Sequence, residues 1–307
     1  MPQWVGLAKD PAGPIFTPSG AEWDEEWFVM DDALRVGEGY VMYYEGRPKG
    51  RPTRQIGLAT SADGLSWHPH VANPVLRVGP AGSWDDNFVT DAEVLVVGDE
   101  YWMFYVGHDG TTERIGLAFS ADGVVWRKHE GNPILTESAE GWDRHHVIQP
   151  TVVRLRPDRW LMWFGSYGGE IENHQVGLAT STDGLHWHKH LGNPVFGLGA
   201  AGEWDCGAAF GPDVTQIGDT FHMLYAGGPR PGVYDIGHAF STDGVTWHRS
   251  PQNPVVRRGP EGAFDCLRLG VPCLLSLGGD AYRVYYSGHN GKTYVGVACA
   301  TGALRDR

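Results

Sequence analysis

The sequence predicts an all-β fold, a five-bladed β-propeller with four-stranded blades, and three observations predict it. The segment Ser-x-Asp-Gly-x-x-Trp occurs four times, with its aspartates at 63, 122, 183 and 243, so the spacings are 59, 61 and 60. Each copy is followed by Asn-Pro and an aliphatic residue, and then by an aromatic–Asp pair. The 44 glycines and 13 tryptophans suit short strands joined by tight turns. Repeats of this length are typical of propellers, which leave few exposed sheet edges.

Each repeat predicts four strands in order. In the second repeat, residues 87–97 and 101–107 are predicted as the first two strands, the latter because its aromatic residues alternate, and residues 115–120 as the third. Asp122-Gly123 predicts a type I′ turn that leads into a fourth strand near Trp126. We expect the serine and aspartate of the motif to cap this turn and its tryptophan to pack between neighbouring blades.

The aromatic–Asp pairs predict where the blades begin, at about residues 23, 84, 142, 204 and 264. The fifth repeat has no Ser-x-Asp-Gly-x-x-Trp segment after its third strand at 294–300, whereas residues 1–22 contain Trp4 and the tripeptide Gly13-Pro14-Ile15 in place of Asn-Pro-aliphatic. Residues 1–22 are therefore predicted to supply the strand that closes the last blade. Residues 1–307 are predicted to form one domain.

Composition disfavours several classes of partner. The chain has 24 basic and 37 acidic residues, a net charge of −13, which repels nucleic acid and anionic membrane surfaces. The first residues lack a basic region followed by an apolar one, so we expect a cytoplasmic protein. The four cysteines (Cys206, Cys266, Cys273 and Cys299) show no metal-type pairing and are expected to be reduced thiols.

The first strand of each blade should line the central channel of the propeller. Aligning the five strands places these residues at one position: Asp31, Asp91, Gln149, Gly211 and Val271. Adjacent blades thus direct two carboxylates into the channel at one depth, an arrangement that suits glycoside cleavage. Asp32 remains an alternative to Asp31, because the pair leaves the register open by one residue. Bonds to backbone N–H groups or a calcium ion in the channel are the structural alternatives, and no other cofactor or metal is expected.

The connections between second and third strands should open on the same face as the channel mouth. They carry charged, imidazole and phenol groups that a simple turn would not need. Histidines there could transfer protons near neutral pH, bind a metal, or bond loop carbonyls. Arg47 could hold an anionic group, as could Arg268. The predicted substrate-binding residues are Asp32, Glu45, His108, Gln149, Tyr167, His174, Arg268 and His289.

The repeat, its turn motif and the aspartates in the first strands of blades one and two resemble the five-bladed glycoside hydrolase superfamily. This superfamily includes the arabinanases and xylosidases of family 43, the invertases and levanases of family 32 and the mannoside phosphorylases of family 130. The resemblance implies that Asp31 is the base or nucleophile and that Asp91 is a second carboxylate that tunes the acid and contacts the sugar.

The superfamily's general acid is missing at the expected positions. It is a glutamate in the first strand of a later blade, where this chain has Ile148-Gln149, Phe210-Gly211 and Gly270-Val271. We therefore expect Glu172 or His146 to supply the proton, with Glu170, His174 and His145 as further candidates.

The resemblance implies a glycoside hydrolase or phosphorylase that acts on a small glycoside, with a saccharide as its partner. Two alternatives remain open at this point. One is a non-hydrolytic enzyme, such as an isomerase, lyase or cyclase, that uses the same channel. The other is a non-catalytic propeller that binds sugars.

Overall fold

The computed structural model describes residues 1–20, 22–166, 174–291 and 294–305. Over these residues the chain forms twenty β-strands and one turn of 3₁₀ helix at Glu22–Asp24. None of the helical structure in these ranges is long and apolar enough to cross a membrane. The all-β prediction is confirmed.

The strands group into five blades that follow one another along the chain, and a parallel bridge between Tyr234 and Arg268 joins blades four and five into one eight-stranded sheet. Blade one contains β2 (Trp27–Val36), β3 (Gly39–Arg47), β4 (Gln55–Ser61) and β5 (His68–Pro69). Blade two contains β6 (Phe88–Val97), β7 (Glu100–His108), β8 (Glu113–Ser120) and β9 (Arg127–Lys128). Blade three contains β10 (Ile148–Arg156), β11 (Arg159–Ser166), β12 (Gln175–Ser181) and β13 (His188–Lys189).

Blade four contains β14 (Ala208–Ile217), β15 (Thr220–Arg230), β16 (Val233–Ser241) and β17 (His248–Arg249). Blade five contains β18 (Arg268–Gly278), β19 (Ala281–His289), β20 (Tyr294–Arg305) and, as its outer strand, β1 (Gln3–Lys9). Within every blade the neighbouring strands are antiparallel. The predicted five-bladed propeller is therefore confirmed.

The N-terminal strand closes the last blade as predicted. β1 pairs antiparallel with β20, and Phe16 bridges Val297 as Leu76 bridges Ile56 in blade one. Lys9 Nζ lies 2.5 Å from Asp265, the aspartate of the aromatic–Asp pair of blade five. In blades two, three and four a cation of the fourth strand makes the same contact: Lys128–Asp85, Lys189–Asp143 and Arg249–Asp205. β1 thus replaces a fourth strand both in pairing and in charge.

The repeated turn corrects one prediction and confirms another. Asp122 Oδ1 accepts the N–H groups of Val124 and Val125, both at 2.9 Å, and only Gly123 has a positive φ, +74°. A type I′ turn needs positive φ at both central residues, so that turn type is wrong: the aspartate side chain closes the turn instead. Trp126 packs edge-on against Tyr43 of the preceding blade, with ring centres 5.9 Å apart, as predicted.

The apolar core lies between neighbouring blades. One buried cluster joins Ile56 and Leu58 of blade one to Val89 and Met103 of blade two, and equivalent clusters occupy the other four interfaces. Because these side chains point into the interfaces, the first strands are free to present polar residues to the channel.

Candidate active site

The candidate site begins at a β-bulge that interrupts the first strand of every blade. The pairing register shifts after Met30, Thr90, Ile148, Phe210 and Gly270. The residue that follows has a left-handed backbone in blades two to five, with φ of +49° at Asp91, +51° at Gln149, +63° at Gly211 and +46° at Val271. This conformation is costly for residues other than glycine, and such strain clusters at functional sites.

The five bulge residues line one cavity, so their predicted alignment is confirmed. Asp31, Asp91, Gln149, Gly211 and Val271 all border a cavity of about 30 Å³ on the channel axis. That volume holds roughly one or two water molecules. A sugar bound near these carboxyl groups must therefore lie further out, at the channel mouth.

A ring of hydrogen bonds between blades lies beneath this cavity. In each blade one side chain of the first strand bonds the backbone of the next blade, at a distance of 2.8–3.1 Å for the oxygen acceptors and 3.6 Å for the thiol. We call these side chains the interblade ring: Asp32 to Val94 N–H, Glu93 to Val152 N–H, Thr151 to Val214 N–H, Asp213 to Leu274 N–H and Cys273 to the Ala33 carbonyl.

The interblade ring separates the two mouths of the channel. Glu93 and Asp213 line both the inner cavity and a cavity of about 570 Å³ at the opposite mouth. Asp32 lines only the opposite cavity, whereas Asp31 lines the inner one. Asp31 is therefore the member of the pair that faces the inner cavity, and Asp32 faces the opposite mouth.

Asp31, Asp91 and Glu45 form a group of interacting carboxyls. Asp31 is 8% exposed, and its carboxyl has no side-chain hydrogen-bond partner among the described residues, although the backbone N–H of Ala92 lowers its pKa in part. Burial raises the pKa of Asp31 well above its usual value, and the charges of Glu45 and Asp91 raise it further. Burial likewise raises the pKa of Asp91 to about 8, against the lowering effect of Arg54. These carboxyls therefore retain at least one proton near neutral pH.

Glu45 is held at the end of β3 by two donors. Trp27 Nε1 donates to Glu45 Oε1 at 2.8 Å, and Arg54 Nη1 donates to Oε2 at 3.3 Å. The Arg54 guanidinium lies 4.0 Å above the centre of the Phe88 ring, and Phe88 stacks on His108 at 4.3 Å. The Arg54 carbonyl accepts the N–H of Val89, which fixes the loop of blade one to the first strand of blade two.

A carboxylate–imidazole pair lies beside Asp91. His146 Nδ1 is 3.0 Å from Glu113 Oε2, and the Glu113 charge acts on Asp91 to raise its pKa. Burial alone would raise the pKa of Glu113, but the hydrogen bond and charge of His146 outweigh it and the pKa is lowered. The Glu113 carbonyl accepts the N–H of Val147, so the next first strand again holds the rim in place.

Two further predicted histidines are neutral near pH 7. Burial lowers the pKa of His174 to about 4, and its ring centre lies 4.8 Å from that of Phe210. Burial and the charge of Arg268 lower the pKa of His289 to about 4. Both can therefore act as hydrogen-bonding groups for sugar hydroxyls, but not as cations.

The structure thus brings most of the predicted residues to one mouth. The residues that interact with one another lie in blades one to three: Asp31, Glu45, Asp91, His108, His146 and Gln149. His174 is near enough to Glu113 for their charges to interact. Tyr167, Glu170 and Glu172 lie outside the described residues. Across the described ranges, no three His, Cys, Asp or Glu side chains are grouped as a metal site requires.

Sequence reasoning missed Arg54 and Glu113. Glu113 is the cross-strand partner of His108, and Arg54 precedes β4 in the corresponding place of blade one. One sequence pattern could have identified both residues: a charged residue just before or at the start of a third strand, across from the end of the second strand.

Comparisons with known sequences place the chain near carbohydrate-active proteins. The model of the family described as "Glycosyl hydrolases family 32 N-terminal domain" matches residues 30–227. An uncharacterised protein of Mycobacterium tuberculosis is 27% identical over 303 residues, which cover 93% of this chain and 97% of that protein. The A type blood N-acetyl-alpha-D-galactosamine deacetylase of Flavonifractor plautii is 24% identical over 274 residues, 75% of this chain but 35% of that longer protein.

Solved structures share the fold. A structure described as a glycoside hydrolase superposes with a TM-score of 0.74 at 21% identity, covering 95% of this chain and 92% of its own. A member of the GH130 family of mannoside phosphorylases has a TM-score of 0.74 at 17% identity, covering 97% and 94%. The N-acetylgalactosamine deacetylase from F. plautii, solved with blood group B trisaccharide, has a TM-score of 0.70 at 18% identity, covering 98% and 95%.

Proposed function

The chain belongs to the glycosyl hydrolases family 32 N-terminal domain family, and from this premise we propose that it is an enzyme that cleaves a small glycoside at the mouth of its central channel. One observation carries the proposal: Asp31 and Asp91 occupy equivalent bulges of adjacent blades and border the same cavity. Burial raises the pKa of each, as it does for carboxyl groups that give and take protons in acid–base catalysis.

The geometry supports different roles for the two aspartates. No side chain of the described residues holds Asp31 by a hydrogen bond, which leaves its carboxyl group available to attack the anomeric carbon or to activate water. The ionised form of Asp91 is stabilised by Arg54 and by the N–H of Gln149. We therefore assign Asp31 as the nucleophile or base, and Asp91 as the carboxylate that orients the sugar and tunes the proton donor.

We assign His146 as the donor of the proton to the leaving oxygen. Glu113 Oε2 lies 3.0 Å from His146 Nδ1, in the way that carboxylates orient catalytic histidines, and the Glu113 charge also acts on Asp91. His146 would thereby do what a glutamate of a later first strand does in the superfamily. Glu172, outside the described residues, remains the second candidate for this role.

The test is turnover of a panel of aryl and alkyl furanosides and pyranosides, with and without phosphate, by the wild type and single variants. We expect Asp31→Asn and Asp91→Asn each to lose activity by about 10²–10⁴-fold. His146→Gln should lose far more activity on alkyl glycosides than on 4-nitrophenyl glycosides, because the nitrophenolate leaves without a proton.

Asp99→Asn is the matched control, since Asp99 is exposed in the turn between β6 and β7 of the same blade. Full activity in both Asp31→Asn and Asp91→Asn would exclude the carboxyl mechanism. Sugar binding without turnover of any glycoside would instead support a non-catalytic sugar-binding propeller.

A second candidate is hydrolysis of an N-acetyl group on a sugar. The relative named as a deacetylase favours it, as does the lack of a glutamate in the later first strands, because amide hydrolysis needs no protonated glycosidic oxygen. Release of acetate from N-acetylgalactosamine and N-acetylglucosamine glycosides, with the glycosidic bond intact, would identify this reaction. Release of the aglycone without acetate would identify glycoside cleavage.

The proposal takes a saccharide as partner, and neither nucleic acid nor a membrane, because the net charge of −13 disfavours polyanionic surfaces. The cytoplasmic location expected from the sequence is part of the same proposal. Cell fractionation with an antibody against the native chain tests it.

A further inference from the structure

The connection between β3 and β4 of blade one concentrates positive charge at the channel mouth. Residues 47–54 contain Arg47, Lys49, Arg51 and Arg54 and no acidic residue, so eight positions hold four of the chain's 24 lysines and arginines. The chain as a whole has a net charge of −13. A cationic loop in an acidic protein, next to the proposed reacting carboxyls, indicates that something negatively charged binds there.

The loop borders a cavity large enough for a sugar unit. This cavity of about 300 Å³ is lined by Trp27, Arg47, Pro52, Arg54, Asn87 and Phe88. It adjoins the group of interacting carboxyls formed by Asp31, Asp91 and Glu45. Arg54, which lines the cavity, donates to Glu45 at 3.3 Å and lowers the pKa of Asp91. The inner cavity, at about 30 Å³, is too small for a sugar.

Aromatic rings hold the two arginines of this cavity in place. The Arg54 guanidinium lies 4.0 Å from the Phe88 ring centre, and those of Arg47 and Arg54 lie 5.4 and 5.7 Å from the Trp27 ring. Such contacts restrict the arginine side chains before a ligand arrives, so the side chains lose less conformational entropy on binding. The loop itself is fixed by Gly50, whose N–H donates to Glu26 Oε2 at 3.0 Å.

Arg47 retains donors for a ligand. Its guanidinium forms a loose ion pair with Glu26, 3.7 Å from Nε to Oε2, while the side chain is 30% exposed and lines the cavity. Lys49 and Arg51 are exposed at the rim of the same loop. Arg54 donates a hydrogen bond to Glu45 at 3.3 Å, whereas Arg47 meets Glu26 only at 3.7 Å, so Arg47 is the group better placed to bind an added anion.

We propose that this cavity is a subsite for an anionic sugar, and that the Arg47 guanidinium binds the carboxylate or sulfate ester that the sugar carries. The planar fork of an arginine matches a carboxylate or a sulfate through two parallel hydrogen bonds. The assignment rests on the proposed function in one respect: the bound sugar would be part of the glycan whose bond the neighbouring carboxyls cleave.

Binding tests the subsite without relying on catalysis. The wild type and Asp31→Asn are titrated calorimetrically with D-glucuronate, D-galacturonate and galactose 6-sulfate. D-Glucose and D-galactose serve as the neutral counterparts. We expect an acidic sugar to bind at least tenfold more tightly than its neutral counterpart, and the difference to shrink as salt rises. Arg47→Gln should weaken the acidic sugar about tenfold or more and leave the neutral one unchanged.

Two variants guard the interpretation. Arg47→Lys keeps the charge but not the fork and should recover only part of the affinity. Arg35→Gln removes an exposed arginine near the other end of β2 and should change neither affinity.

Two outcomes would overturn the subsite: neutral and acidic sugars that bind alike, or an Arg47→Gln variant that weakens both equally. Turnover of neutral glycosides that requires inorganic phosphate and Arg47 would also overturn it, since the anion would then be a co-substrate. Failure of the proposed function is distinguishable, because then no glycoside is cleaved while selective binding of acidic sugars persists.

Discussion

Burial determines the protonation of individual carboxyl groups in the interblade ring. Desolvation raises the pKa of Asp32 to about 6 and that of Asp213 to about 8, while one backbone N–H of the next blade lowers each only in part. Each group is charged in the unfolded chain at neutral pH and wholly or partly neutral in the folded one. The stability of the propeller must therefore depend on pH through these residues.

Asp213→Asn should remove much of that dependence. Between about pH 4 and pH 8 the folded state keeps a proton that the unfolded state releases, so the wild type loses stability as pH rises. Asparagine does not ionise, yet its oxygen can still accept the Leu274 N–H. We expect the melting temperature of the variant to be close to wild type at pH 4 and several degrees above it at pH 8.5.

Thermal unfolding in a pH series measures this difference. Asp219→Asn is the control, since Asp219 is exposed in the turn between β14 and β15 and should show no such trend. A constant offset between Asp213→Asn and the wild type across all pH values would contradict the prediction.

Three of the candidate residues that sequence reasoning found share one property. Asp31, Asp91 and Gln149 recur at one position of a repeat, so alignment alone brings them to one depth of the channel. Sequence reasoning did not identify Arg54 and Glu113, because their positions depend on the cross-strand register at the rim of the channel. The role of Asp32 likewise depends on the backbone of the next blade, which no pattern within one strand reveals.

At the scale of the element, β1 is the strand whose identity matters most. Its sequence lacks the turn motif of the other outer strands, but Lys9 reaches Asp265 as Lys128 reaches Asp85. Asp265 is 2% exposed, and Tyr286 at 3.3 Å is its other side-chain partner among the residues that the structure describes. Removing the cation would leave a buried carboxylate without a compensating charge, which is costly.

Lys9→Met should therefore destabilise the fold by about 1–3 kcal/mol, less than for a fully buried pair because the lysine side chain is 30% exposed. Denaturant unfolding measures the loss. Lys128→Met in blade two is the matched variant and should lose a similar amount, and Asp265→Asn should restore part of the stability lost in Lys9→Met. If only Lys128→Met is destabilised, β1 does not act as a fourth strand.

The repeated turns show that local sequence alone does not determine the turn type. Asp-Gly between two strands is the usual signal of a type I′ turn, but Asp122 uses its side chain to accept two N–H groups, which places the fourth strand at β9, after Trp126. Both turns satisfy the same local sequence. The longer connection, which the structure has, lets Trp126 reach Tyr43 of the preceding blade.

At the scale of the whole molecule, every blade depends on two neighbours. Five buried clusters each span one interface, and the cluster between blades five and one includes Phe16, Phe28, Tyr285 and Val297. The interblade ring crosses the same five boundaries. No boundary between consecutive blades lacks these contacts, so the chain has no obvious place to divide.

This continuity supports the prediction that residues 1–307 form one domain, and it has a calorimetric consequence. We expect the full chain to unfold in one transition whose calorimetric and van't Hoff enthalpies agree, because losing any blade exposes the apolar faces of both neighbours. Lys9→Met should shift that transition to a lower temperature without splitting it, since β1 pairs with β20 of blade five and Trp4 of β1 packs in the cluster between blades four and five. Two separable transitions, in the wild type or in this variant, would show that the blades fold as more than one unit.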